Sequence, residues 1–176
     1  MRIVYFGTPD FAVAPLVALH EAGHEIVLVV TQPDKPRGRG HALQFPPVKE
    51  AALRLGIPVA QPERARNADF IGLLRKQKAE LFVVTAFGQI LPKEILELPR
   101  YGCVNIHASL LPAYRGAAPI QWAVIDGQKE SGITTMQMDE GLDTGDILRR
   151  YPLPIGPEET GGSLFSKLEK LGAEAI

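Results

Sequence analysis

Short apolar runs alternate with segments of helical periodicity along this chain, and that order admits few folds. Residues 3–6 read as a first strand, continuous in apolarity as a strand covered on both faces should be. A helix starting near Asp10 or Ala14 closes at Gly23, with Pro15 tolerable only in its first turn. Glu25–Val30 is a second strand, and 31–45 a long Gly/Pro-rich loop. The pattern then predicts a helix over 47–55, a short strand near Val59, a helix over 68–78 and a strand over Leu81–Thr85. A loop at 87–89, a short helix from Pro92, a strand over 103–106 and a helix over 117–125 follow. Strands over 134–138 and 147–153 lead to a last helix over 163–176, with Leu164, Phe165, Leu168 and Leu171 on one face. The expectation is an α/β, Rossmann-like fold: a largely parallel sheet flanked by helices, in one domain.

The most informative segment for chemistry is Gly102 to Pro112. Alternation in a strand sends Val104 and Ile106 one way and Asn105 and His107 the other. An amide and an imidazole thus share one face at the end of an apolar strand. Asn can donate to a developing oxyanion and His can move protons, a pairing that suits acyl transfer. The plainer reading is a polar pair capping a strand. A second segment, 138–146, is rich in Gly and Asp and reads as a tight loop after a strand. That loop and His107 are both expected at the carboxyl ends of strands of the parallel sheet, where ligands bind and where a carboxylate would hold the His107 ring; taken alone, an Asp/Gly turn whose carboxylates bond their own backbone is the plainer reading. A third, 109–116, exposes Leu and Pro where a solvated loop would not, as the wall of an apolar pocket with 87–90 opposite would.

Three tempting motifs fail. His20-Glu21-Ala22-Gly23-His24 matches the zinc-protease pattern, but Gly23 ends the helix and His24 opens a strand, so the imidazoles diverge and no metal is expected. Gly7-Thr8-Pro9-Asp10 holds one of the three glycines of a dinucleotide fingerprint, and Gly38-Arg39-Gly40 lies in a loop without the third, so neither NAD nor FAD is expected. Cys103 lies inside an apolar strand, where a thiol is inert packing. As a lone cysteine it fits a reducing compartment. No apolar run approaches the length of a membrane span and no signal peptide is legible, so the chain is expected in the cytoplasm with no membrane partner. The net charge of −1 gives the chain as a whole no footprint for nucleic acid.

Asn105-Ile106-His107-Ala108-Ser109-Leu110-Leu111-Pro112, with Tyr114-Arg115-Gly116 and Pro119-Ile120, closely resembles the signature of the folate-dependent formyltransferases. Met136-Gln137-Met138-Asp139 through Gly141-Leu142-Asp143-Thr144-Gly145 resembles the second signature of that family. Gly7-Thr8-Pro9-Asp10-Phe11 and Thr31-Gln32-Pro33-Asp34 through Gly38-Arg39-Gly40 look like the branch that formylates methionyl-tRNA. The glycinamide ribonucleotide branch has a Gly/Ser/Asn-rich phosphate loop after its first strand, and this chain has none there.

The resemblance implies the formyltransferase fold, 10-formyltetrahydrofolate as formyl donor without metal or NAD, and the amino group of initiator methionyl-tRNA as acceptor. It implies a catalytic trio of Asn105, His107 and Asp143, in which Asp143 tunes and orients His107. It implies a pterin pocket wrapped by Phe87, Gly88, Gln89, Ile90 and Leu91 and by the loop holding Asp139 and Gly141, with Ser109, Leu110, Leu111 and Pro112 lining the approach. The loop 31–45, with Lys35, Arg37 and Arg39 against Asp34, is the implied tRNA element; without the resemblance it is a solvated loop. Members carry a C-terminal, barrel-like domain that helps hold tRNA, and this chain is expected to be the catalytic domain without it, acting as a monomer. A folate-binding module without turnover, and an enzyme of the same fold acting on glycinamide ribonucleotide, a sugar nucleotide or water, are the alternatives.

Overall fold

The computed structural model describes residues 1–37 and 42–176. β1 (Arg2–Gly7) leads through a 3₁₀ turn (Asp10–Ala12) into α1 (Val13–Glu21), β2 (Glu25–Val30) and a two-stranded hairpin of β3 (Lys35–Arg37) and β4 (Ala42–Gln44). Then come α2 (Pro47–Arg54), β5 (Val59–Ala60), α3 (Ala68–Lys76), β6 (Leu81–Thr85) and α4 (Lys93–Leu96). β7 (Cys103–His107), α5 (Pro119–Ile125), β8 (Glu130–Gln137), β9 (Ile147–Pro154) and α6 (Gly161–Ala175) complete the chain. The main sheet has seven strands in the order β5-β2-β1-β6-β7-β8-β9. Its first five are parallel neighbours, while β8 and β9 pair antiparallel.

β1 is the centre of the core because both its faces are covered. Ile3 and Tyr5 pack with α1, α2, α5 and α6, and Val4 and Phe6 pack with α3 and α4. The strand ends at Gly7, where a Cβ would come 2.7 Å from that of Ala12 and 3.1 Å from the Thr85 carbonyl. Glycine there lets β1 turn tightly into the 3₁₀ segment and opens a crevice above the strand ends. α3 is capped by Asn67, whose side chain accepts from the Asp69 and Phe70 N–H groups. α6 starts with a reciprocal Thr160–Ser163 box. Leu164 and Leu168 bury from that helix, with Phe165 and Leu171 half-buried beside them.

Two expectations need correction. The segment 31–45 is not all loop: Lys35 pairs with Gln44 and Pro36 with Leu43 in an antiparallel ladder. No apolar alternation marks these strands, and Pro36 is tolerated because the pair stands apart from the main sheet. Second, the strand read over 134–138 starts at Glu130 and runs antiparallel to β7, with Val104 opposite Gln137 and His107 opposite Thr134. The loop after β8 therefore leaves the sheet at the start of β7, not at its carboxyl end. Ser131 and Gly132 interrupt the apolar run that would have marked the longer strand, and strand direction leaves no trace in hydrophobicity.

Replacing Gly7 with Ala should lower stability by about 1–3 kcal/mol, the range for overpacking a closed site. Urea unfolding should show a lower midpoint with an unchanged slope.

Candidate active site

Asn105 and His107 share a face of β7 as expected, and alternation makes it the face of Cys103, which packs with α3 and α4. Cys103 is fully buried, its Sγ–H points to the Leu96 carbonyl, and burial pushes its thiol up to about 12, so it stays protonated and inert. Asn105 and His107 lie further along, where the loop 138–146 folds back across the strand. That loop is closed on itself by the Gln137 N–H to the Asp146 carbonyl and tied to β7 by the Met138 N–H to the Cys103 carbonyl, both 2.8 Å. Gly145 permits the return, since a Cβ there would overlap the Gln137 carbonyl.

Asp143, at the crest of this loop, gathers the site. Its Oδ1 accepts from Asn105 Nδ2 at 3.3 Å and its Oδ2 from the Gly116 N–H at 2.8 Å. Oδ2 also lies 3.6 Å from His107 Nδ1, within ion-pair range but too long for a hydrogen bond. The other ring nitrogen, Nε2, is 2.8 Å from the Tyr114 carbonyl. A carbonyl only accepts, so Nε2 carries a proton. The His107 and Asp143 side chains are only 8% and 10% exposed, so water hardly competes for them. Asn105 gives Asp143 one of its two amide protons, and no other partner of that amide occurs among the described residues. The second N–H is left without a partner among the described residues.

The segment 109–116 is clamped from below. Thr134 Oγ1 donates to the Ser109 carbonyl and accepts from the Leu111 N–H, and Arg150 Nε donates to the Leu111 carbonyl at 2.7 Å. Ser109 closes the turn onto the Ala113 carbonyl. Arg115 Nε donates to the Asp143 carbonyl. The Tyr114 hydroxyl donates to Asp126 Oδ2 at 2.8 Å, and that carboxylate pushes the phenol up. Ala86, Tyr114, Ala118 and Asp143 all hold positive φ, between 47° and 58°. Each such residue costs roughly 1–2 kcal/mol of backbone strain, of the kind that concentrates at functional sites.

The residues expected to wrap a ligand divide into two groups. Phe87, Leu91, Ser109 and Leu111 are buried, with the Phe87 ring edge-on to Phe6 at 5.3 Å. Leu110 is half-buried. Ile90 is 82% exposed, and Gly88, Pro112, Asp139 and Gly141 are exposed. Gln89 spends its amide on the Ala65 N–H and the Pro62 carbonyl, pinning the segment 87–91 to the loop after β5. Asp139 bonds the Gly141 N–H and Thr144 of its own turn, while Asp143 turns to the site.

Beside this site, the carboxyl ends of β1, β2 and β6 are tied together. Thr8 Oγ1 and Gln32 Nε2 both donate to the Phe87 carbonyl. A cavity of about 200 Å³ opens there, lined by Thr8, Gln32, Pro33, Lys35, Gln44, Phe45, Pro46 and Pro47. The hairpin base is fastened by Lys49, which contacts both Asp34 oxygens and Gln61 and sits 3.8 Å from the centre of the Phe45 ring. Gln61 and Lys49 together hold the Asp34 carboxyl below its usual range. Lys35 is exposed; Arg37 is a strand residue of the hairpin; Arg39 lies outside the described residues, as does the Gly38-Arg39-Gly40 motif.

Sequence reasoning did not find the Tyr114 carbonyl, the Gly116 N–H, Thr134, Arg150 or Lys49. Backbone groups carry no sequence signal, and single polar residues announce no partner. The zinc-like motif resolves as read: α1 ends at Glu21, Gly23 follows at φ 82°, and His24 lies beyond. Among the described residues no helix is long and apolar enough to cross a membrane.

An amide, an imidazole and a carboxylate gathered over the end of a mostly parallel sheet make a site equipped for chemistry at an acyl carbon. The chain belongs to the formyl transferase family, whose model matches residues 1–176. It is 60% identical over 174 residues to a methionyl-tRNA formyltransferase of Agathobacter rectalis, covering 99% of this chain and 56% of that protein. It is also 57% identical over 176 residues to that of Pelotomaculum thermopropionicum, covering all of this chain and 56% of the relative. The chain thus spans little more than half the length of these curated relatives. Among solved structures it superposes on phosphoribosylglycinamide formyltransferase of Bacillus halodurans with a TM-score of 0.83 at 23% identity, covering 99% of this chain and 90% of that one. The Streptococcus pneumoniae counterpart gives 0.82 at 21%, covering 99% and 93%. At that identity these two establish the fold alone.

Because the Asp34 carboxyl is held below its unfolded value, its contribution to stability is complete above about pH 4 and is lost as pH falls through the lowered folded value. Asp34→Asn should therefore destabilise the chain at pH 7 and progressively less toward pH 3, as read by urea titration at each pH.

Proposed function

We propose that this chain transfers the formyl group of 10-formyltetrahydrofolate to the amino group of initiator methionyl-tRNA, and so supports translation initiation in the cytoplasm. The observation that carries the proposal is the gathering of Asn105, His107 and Asp143, drawn from two distant signatures, around one carboxylate. The methionyl-tRNA formyltransferase relatives support the choice of acceptor.

The methionine amine attacks the formyl carbon, a tetrahedral oxyanion forms, and the bond to N10 of the folate breaks. Asn105 donates its remaining amide proton to the oxyanion. His107 takes the proton released by the amine and returns it to the departing folate nitrogen. Asp143 keeps both groups facing the reacting carbon. In this reading the pterin lies between the segment Ser109 to Pro112 and the segment Phe87 to Leu91, where the exposed Ile90 and Gly88 can meet it. Lys35, Arg37 and Arg39 meet the tRNA backbone. Since Asp34 is committed to Lys49, it does not offset Lys35.

The test is formation of formylmethionyl-tRNA from 10-formyltetrahydrofolate, with glycinamide ribonucleotide, a sugar nucleotide and water as parallel acceptors. Asn105→Ala should lower kcat by about 100- to 1,000-fold, the usual effect of removing one oxyanion donor. His107→Ala should lower it by roughly 100- to 10,000-fold, the span of general acid–base catalysis. Near-native turnover by either folded variant would refute the assignment. Lys35→Ala or Arg39→Ala should raise KM for tRNA and leave KM for folate unchanged; an unchanged tRNA KM would remove the hairpin from the acceptor site.

A further inference from the structure

Nothing in the catalytic trio itself explains why the His107 ring presents Nδ1, rather than Nε2, to Asp143. The answer lies in residues 114–116, which touch both partners. The Tyr114 carbonyl accepts from His107 Nε2, Arg115 Nε donates to the Asp143 carbonyl, and the Gly116 N–H donates to Asp143 Oδ2. This turn is bent through an unfavourable conformation, with Tyr114 at φ 56°. A bulky residue is the least suited to that region, so its side chain must serve some purpose that glycine would not. Its hydroxyl provides one: it donates at 2.8 Å to Asp126, the residue that caps the carboxyl end of α5. α5 is held to the interior by Ile120 and Ala123, so the tie runs from the imidazole to a packed helix.

We propose that Tyr114 is a positioning residue whose hydroxyl, anchored on Asp126, holds its own carbonyl against His107 and locks the ring as the Nε2–H tautomer. Nδ1 is then the nitrogen left to exchange protons beside Asp143. The consequence for turnover rests on the reading of His107 as the proton relay; the lock itself does not. Tyr114→Phe removes the hydroxyl and keeps the ring. Asp126→Ala removes the same bond from the other end, whereas Asp126→Asn retains an oxygen that can accept it.

The test is nitrogen-detected long-range NMR of the histidine rings in the unliganded chain, with the His107 signals assigned by their loss in His107→Asn. The native ring should be a single Nε2–H tautomer with a slowly exchanging proton. Tyr114→Phe and Asp126→Ala should both show tautomer mixing and a proton exchanging about threefold to tenfold faster, the weight of one hydrogen bond. Asp126→Asn should restore the native spectrum. In the formylation assay the first two variants should lose kcat by the same factor with the folate KM unchanged. An Nδ1–H ring in the native chain, or native tautomer and exchange in both Tyr114→Phe and Asp126→Ala, would overturn the proposal. The spectrum needs no turnover, so a native chain that fails to formylate any acceptor would refute the functional reading and leave the lock to be judged on the spectrum.

Discussion

The Asp143 carboxylate accepts from the Asn105 amide and the Gly116 backbone N–H while facing the His107 ring, and these contacts join three segments that the sheet alone would leave apart. β7 supplies the amide and the ring, the loop after it supplies the N–H, and the hairpin loop between β8 and β9 supplies the carboxylate. A buried carboxylate needs such partners, because an unpaired charge at that depth is costly to hold. The two loops are therefore tied to each other by the same group that faces the His107 ring. Much of the surrounding irregularity follows: the positive φ of Asp143 and Tyr114, the Arg115 contact with the Asp143 carbonyl, and a glycine at 145 where the loop returns.

The remaining polar contacts are arranged to keep these loops still. Thr134 and Arg150 hold the backbone of 109–111 from β8 and β9, while Thr8 and Gln32 hold the Phe87 carbonyl from the ends of β1 and β2. The site walls are thus fastened through main-chain atoms to the sheet. Side chains such as Phe87, Leu91 and Leu111 serve as the packing beneath, not as the surface a ligand meets. The hairpin is fastened at its base by Lys49, Asp34, Gln61 and Phe45, and Lys35 is exposed beside that base.

Much of the fold was legible because β1, β2, β6 and β7 are covered on both faces and so read as continuous apolar runs; Glu25–Val30 and Leu81–Thr85 stand as read. The antiparallel direction of β8 was not legible, since a buried strand has the same composition in either direction. The hairpin β3–β4 was hidden by Pro36 and by the lack of an apolar alternation. At the site, period-two alternation was enough to pair Asn105 with His107. Only the family resemblance singles out Asp143, because its turn looks like any Asp/Gly turn, and Asp139, four residues earlier, does bond its own turn in that way. The backbone partners at Tyr114 and Gly116 had no signal at all.

The central claim is that this arrangement is a preformed folate-binding formyl transfer site. Its most direct test is thermal unfolding of the chain with and without 5-formyltetrahydrofolate, a stable analogue of the donor, with NAD as control. At about 100 times Kd the ligand should add about 2.7 kcal/mol to the stability of the folded state. A rise in Tm with the folate and none with NAD is the predicted result. No shift at saturating folate, or a shift with NAD in its place, would contradict the account.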